Sequence, residues 1–352
     1  MKTINSQRDT SFDIAKGIAI ILMVIGHSGT TDYIKSFIYL FHIPAFYFIS
    51  GYFFNDKYVN DKITYTKRRF FQLYQPFIVY GIIFLILSPL FHELHIINKP
   101  ISTAIFIRSL FTTLIFQHVE TLLAPFWFLR SLFTVSLLFL IIRWLNYKII
   151  PSNNLFTIVI CITLFAIGAI LGTKNIHLPA QIQREFVVLL FFASGYFSKA
   201  LTFSYYKNRF LIIGAFILLC ILAHFIRIDL VSNYFNSIWG LVVGSLLGIY
   251  FLITLSKYLT KHSITSKFLS YIGRNTISIL ALHFLSFKFV SILLILLYQF
   301  PISSLSHWPT INNTIISQSA WWILYSITGI ILPLCYSLIA KQIKTRLITK
   351  RK

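Results

Sequence analysis

The chain has 352 residues, 57% of them hydrophobic and only 11% charged, with a mean hydropathy of +0.77. Those values exclude a set of soluble domains and define a polytopic membrane protein. The formal charge of +22 would suit nucleic acid in a soluble protein, but here Lys and Arg sit mainly in the short segments between apolar runs. That placement serves membrane topology, and nucleic acid is not an expected partner.

Apolar runs of about 17 to 25 residues, enough to cross a bilayer, fall at about 12–29, 34–54, 70–92, 126–145, 155–173, 185–201, 209–228, 234–257, 275–298 and 319–340. About ten spans are therefore expected, in an all-α transmembrane bundle forming one membrane-embedded domain over 1–352. The first run is followed by HSGTTDY, which offers no small-x-small cleavage site, so it stays attached as a helix. The stretch from Ile101 to Phe116 is short and carries Arg108. We read it as re-entrant or interfacial, the alternative being an eleventh span, which would reverse every later loop.

The basic residues orient the bundle. With a cytoplasmic N-terminus, the inner segments hold Lys2 and Arg8; Lys57, Lys62, Lys67, Arg68 and Arg69; Arg143 and Lys148; Lys199, Lys207 and Arg209; Lys257, Lys261, Lys267 and Arg274; and the tail from Lys341 to Lys352. The outer segments hold only Lys35, Lys99, Arg108, Lys174, Arg184 and Arg227. Both termini are expected in the cytoplasm. Cys161, Cys220 and Cys335 lie within apolar runs without paired spacing, so neither a disulfide framework nor a metal site is expected. The segment YFISGYF at Tyr47 to Phe53 recurs as FFASGYF at Phe191 to Phe197, either an old duplication or a preferred helix-packing contact of small residues.

Ionisable groups inside spans are costly and mark a cavity, a partner or a function. In the first run, Lys16 and His27 are eleven positions apart, about three helical turns, so they share one face about 16 Å apart along the axis. His27 and His42 fall in the outer halves of two neighbouring spans and can line one cavity, where His is the natural acid or base. Each can instead be a packed ring bonded to a carbonyl. Asp13 and Lys16, one turn apart, either pair at the membrane interface or present Lys16 to an anionic ligand oriented by Asp13. Lys67, Arg68 and Arg69 act as a topology signal or as phosphate contacts. Trp127 and Arg130 are interfacial anchors or a wall that stacks on a ligand ring. His283, near the midplane of its span, is harder to explain by packing alone. P-loop, GxGxxG, GxSxG and HExxH motifs are all missing from the sequence.

Several of these residues lie in DIAKG (Asp13 to Gly17), VIGH (Val24 to His27), FHIPAF (Phe41 to Phe46), SGY (Ser50 to Tyr52), Lys67-Arg68-Arg69 with Pro76, WFL (Trp127 to Leu129) and IGRNT (Ile272 to Thr276) with His283. In these pieces the chain resembles the integral membrane acyltransferase family 3, and in particular its branch similar to fucose 4-O-acetylases. The resemblance implies transfer of an acyl group, usually acetyl, from a cytoplasmic coenzyme A thioester to a hydroxyl of a sugar. The acceptor would be a surface polysaccharide or its lipid-linked precursor. It assigns His27 and His42 to catalysis. Asp13, Lys16, Lys67, Arg68 and Arg69 would hold the donor, and Trp127, Arg130 and His283 the acceptor.

Much of the family has an Arg eleven positions before the His, where this chain has Lys16, as in the fucose-type branch. The extracytoplasmic esterase-like domain of many relatives is not expected here. Acetyl-CoA is the donor substrate the resemblance implies, with no metal expected, and membrane lipid and a glycan or glycolipid are the expected partners. The expected location is the cell membrane, a bacterial inner or plasma membrane, with multiple passes. The competing class is a transporter or flippase, which also accommodates ten spans in two similar halves. Transfer of succinyl or another acyl group is the alternative within the enzyme class. Nothing in the sequence specifies an oligomer.

Overall fold

The helices follow in order as α1 (Thr10–His27), α2 (Asp32–Tyr39), α3 (His42–Tyr52), the short α4 (Lys57–Asn60) and α5 (Lys62–Arg69), which runs through a π-helical turn (Phe70–Tyr74) into α6 (Gln75–Glu93). Next come α7 (Thr103–Leu114), a 3-10 turn (Thr121–Phe126) leading into α8 (Trp127–Ile149), α9 (Leu155–Thr173), α10 (Ile182–Phe197) and α11 (Arg209–Phe225). A two-stranded antiparallel ribbon, β1 (Ile228–Asp229) and β2 (Tyr234–Phe235), pairs Ile228 with Phe235. Then α12 (Ile238–Leu259), α13 (Ser263–Arg274), α14 (Thr276–Tyr298), α15 (Thr314–Ser317) and α16 (Trp321–Thr349) complete the chain. This computed structural model describes residues 9–98, 100, 102–117, 120–151, 153–200, 209–317 and 319–349. Of the residues used above for orientation and spans, Lys2, Arg8, Lys99, Ile101, Leu201, Lys207, Lys350, Arg351 and Lys352 lie outside the described residues.

The architecture is the expected all-α polytopic bundle. Among the described residues, seven helices are long and apolar enough to cross a membrane: Thr10–His27, Lys62–Glu93, Thr121–Ile149, Leu155–Thr173, Ile238–Leu259, Thr276–Tyr298 and Trp321–Ile343. The expected spans at 185–201 and 209–228 correspond to α10 and α11, of 16 and 17 residues. With 12 residues, α7 reaches only about 18 Å, well short of the roughly 30 Å hydrocarbon layer.

The expected span at 34–54 is not one helix. It breaks at Leu40–Phe41, between α2 and α3, and Pro44 supplies the reason. In a continuous helix its ring would strike the carbonyl of Leu40, four residues back, and its missing N–H would leave that carbonyl unbonded. Proline suits the first turn of a new helix instead. The freed Leu40 carbonyl accepts the Ser245 hydroxyl at 2.7 Å. His42 thereby becomes the first residue of a helix.

α1 occupies the middle of the bundle, touching α2, α3, α12, α13, α14 and α16. Its start is fixed by Asp9, whose carboxylate accepts from the Ser11 N–H at 2.9 Å, satisfying one orphan donor of the first turn. The echoed SGYF segments turn out to be a packing contact made with each other, α3 against α10. A Cβ on Gly51 would lie 2.7 Å from the Phe192 carbonyl carbon, and one on Gly195 would lie 2.7 Å from that of Phe48. Phe48 and Phe192 are equivalent in the repeat, as are Gly51 and Gly195, so the crossing has local two-fold character.

Candidate functional site

A cavity of about 380 Å³ opens along one stripe of α1, lined there by Lys16, Ile20, Met23 and His27. The spacing of four, three and four is one helical face. Across from it, α3 contributes His42, Ile43, Phe46, Ile49 and Ser50, with Phe53 at its C-cap, and α14 adds Thr276, Ile277 and Leu280. The walls between the two ends are mostly apolar.

One end is basic. Phe12 at the start of α1 packs on Tyr52 and Phe53 at the end of α3, with ring centroids 4.4 and 5.0 Å apart, so both helices reach this end together. Lys16 lines it, half-buried, with its ammonium 2.8 Å from Asp13 Oδ1. Arg68 and Arg69 line it from α5. Arg68 Nη1 donates to the Tyr58 hydroxyl at 2.8 Å, and Arg69 Nε to that of Tyr65 at 3.1 Å. These bonds hold both guanidinium groups at the mouth while leaving further donors free. Asp61 caps α5 by accepting from Thr64, and that hydrogen bonding holds its carboxyl below the usual carboxylate range. Gln72 and Leu73, in the π-helical turn, also line the cavity, and such turns are frequent at functional sites.

The other end holds the histidines. Tyr39, His42 and His27 line it, together with Asp229 from the ribbon. His42 Nδ1 donates to the Ile38 carbonyl at 2.8 Å, so the neutral ring presents Nε2 as a lone pair. The His27 ring has no hydrogen-bond partner among the described residues. It lies 5.6 Å from the His283 ring and 5.2 Å from Phe284, centroid to centroid. His283 is fully buried just beyond the cavity; its Nδ1 faces the Ile279 and Leu280 carbonyls at 3.0 and 3.1 Å, and its Nε2 has no hydrogen-bond partner among the described residues. The main-chain N–H groups of His42 and Ile43 have no main-chain acceptor among the described residues, as the first turn of α3 requires.

The expected site residues therefore divide. Lys16, His27, His42, Arg68, Arg69 and Trp127 share the cavity. Asp13 stands behind Lys16 as its ion-pair partner, and His283 backs His27. Lys67 is exposed on another face of α5, and Arg130 turns away to donate to the Ala180 carbonyl at 3.2 Å; neither lines the cavity.

A buried group behind Trp127 was not expected. The Arg184 guanidinium lies 4.4 Å from the Trp127 ring centroid and is bonded to Glu185 at 3.0 Å and to the Val231 carbonyl at 3.1 Å. Glu185 in turn accepts from Ser131, which is bonded to the Tyr47 hydroxyl. One face of Trp127 is thus taken by a cation, and the network braces α3, α8 and α10 against one another. The signal was present as two adjacent ionisable residues at the edge of an apolar run. Counting Arg184 as an outer-loop charge concealed it.

The fold and the site together define a multi-pass membrane protein with a long, mostly apolar chamber, basic at one end and histidine-bearing at the other. A family model described as an acyltransferase domain matches residues 9–340. The chain belongs to the acyltransferase family 3. No curated protein and no solved structure matches it.

Proposed function

We propose that this protein is an O-acetyltransferase of the cell membrane, moving acetyl from cytoplasmic acetyl-CoA to a sugar hydroxyl of a surface polysaccharide or its lipid-linked precursor. One observation carries the proposal: the chamber joins a mouth bearing Lys16, Arg68 and Arg69 to His27 along a single stripe of α1. The polyanionic nucleotide end of the donor suits the mouth. Its uncharged pantetheine arm suits the apolar shaft, and about 16 Å of helix rise between Lys16 and His27 is of the length of that arm.

In the reaction, the acceptor oxygen attacks the thioester carbon while His27 takes the hydroxyl proton. The carbon–sulfur bond then breaks, and His27 returns the proton to the departing thiolate. The oxyanion formed in between needs donors. A neutral His42, with Nδ1–H committed to Ile38, offers none at Nε2, so that role falls to the first-turn N–H groups of α3 at His42 and Ile43. His42 Nε2 accepts a hydrogen bond from the acceptor instead.

Purified protein given labelled acetyl-CoA and a glycan acceptor should form an acetyl ester. His27→Gln should lower the rate by about 10²–10⁴-fold, the usual worth of a general base, with acetyl-CoA affinity retained. Unchanged transfer by His27→Gln would remove His27 from the chemistry. A wild-type protein that forms no ester from any acyl-CoA would favour transport.

A further inference from the structure

Beyond His27 lies a second cavity of about 230 Å³, lined by Ser28, Gly29, Trp308, Pro309, Thr310, Ile311, Asn312, Ile316, Trp322 and Tyr325. It shares no lining residue with the first chamber, yet the two meet in the chain at His27 and Ser28. Phe284 packs against one lining residue of each. The Phe284 ring stands 5.2 Å from that of His27 on one side and 5.2 Å from that of Trp308 on the other. His283, with its orphaned Nε2, is packed 4.2 Å from Phe284.

We propose that this outer cavity binds the acceptor as a neutral sugar ring, entering from the end opposite the basic mouth. The proposal rests on the transferase function above and names the place and class of its second substrate. Charge separates the two ligands. The first chamber has three cations at its mouth, whereas no lining residue of the second is charged among the described residues. An anionic donor gains nothing there, and an uncharged hydroxyl-rich ligand avoids burying an unpaired charge. The lining has the two components such a ligand uses. Trp308 on the loop and Trp322 on α16 offer apolar ring surface, and Thr310 and Asn312 offer polar groups.

The volume is below the range of about 300–1,000 Å³ typical of sites for larger ligands, so it takes one ring and not a chain. The orphaned His283 Nε2 supplies the remaining argument. With Nδ1–H given to main-chain carbonyls, it is a buried acceptor lacking a donor, an arrangement that native interiors avoid. His283 lines neither cavity as they stand, and a sugar hydroxyl reaching toward His27 becomes such a donor once Phe284 moves aside. The loop is held in place for this role: Lys288 Nζ, buried on α14, donates to the Leu305 and His307 carbonyls at 2.9 and 2.7 Å.

The test uses the full chain in detergent, labelled acetyl-CoA and a neutral methyl hexopyranoside as acceptor. Trp322→Ala and Asn312→Ala should each raise the acceptor KM at least tenfold and leave the acetyl-CoA KM unchanged, while Trp322→Phe keeps most of the wild-type acceptor affinity. An unchanged acceptor KM in Trp322→Ala and Asn312→Ala overturns the proposal. So does a wild-type protein that binds and consumes acetyl-CoA but never acetylates the glycoside. If acetyl-CoA is neither bound nor consumed, the transferase function itself fails. Should Trp322→Ala not accumulate, Asn312→Ala on the exposed loop decides alone.

Discussion

The α3–α10 crossing gives a quantitative prediction. A methyl group added at Gly51 would sit 2.7 Å from the carbonyl carbon of Phe192 and 3.1 Å from its Cα; added at Gly195 it would sit 2.7 and 2.9 Å from the same atoms of Phe48. Carbon atoms in good contact stand about 3.5–4.0 Å apart. The obstacle is backbone, which has no rotamer to escape into, so the two helices must part by about 1 Å. Overpacking of this kind costs about 1–3 kcal/mol, and a backbone clash belongs at the upper end. At roughly 2 °C per kcal/mol for a large chain, Gly51→Ala and Gly195→Ala should each lower Tm by about 4–6 °C in detergent. Because both methyl groups push on one crossing, the double variant should lose clearly less than the sum. α3 carries His42, Phe46 and Ser50 in the chamber wall, so acyl transfer should fall with stability. Gly214, which would meet nothing within 4 Å, is the control: its alanine variant should keep or slightly raise Tm. A Tm for Gly51→Ala equal to that of Gly214→Ala would refute the packing account.

At the basic mouth, Arg68→Ala and Arg69→Ala should each raise the acetyl-CoA KM about tenfold, the worth of one charge-assisted contact, whereas Lys67→Ala, on another face, should leave it unchanged; steady-state kinetics on the three variants checks this. Lys288→Met should leave the buried Leu305 carbonyl without its donor at about 1–3 kcal/mol, seen as a lower Tm and faster proteolytic cutting of the 302–316 segment. Equal cutting of wild type and Lys288→Met would show that the tether contributes nothing.

The sequence disclosed the stripe on α1 because one helix fixes the distance and facing of its own residues, so Lys16 and His27 were related before any fold was known. His42 was paired with His27 because their expected spans follow one another in the chain, and the chamber joins them. Contacts between distant segments were another matter. Arg184 meets Trp127 only after α8 and α10 pack, and the outer cavity needs α1, the 302–316 loop and α16 to converge. The break at Leu40–Phe41 was legible in Pro44, four residues on, but an unbroken apolar run masked it. Lys67 and Arg130 looked equal to their neighbours because composition does not reveal which way a side chain faces.

The π-helical turn between α5 and α6 has a consequence for how this mouth is kept. A π turn holds one residue more than an α turn, and one residue corresponds to about 100° of rotation about the helix axis. Deleting any single residue of Phe70–Tyr74 would thus give a more regular helix, with α6 still seated in the bundle. Straightening the turn with all its residues kept would instead swing Arg68 and Arg69 about a quarter of a circle around that axis. The local irregularity sets the angular phase between the membrane-embedded half of this long helix and its charged half, and a regular α turn over the same residues would aim both guanidinium groups away from the chamber.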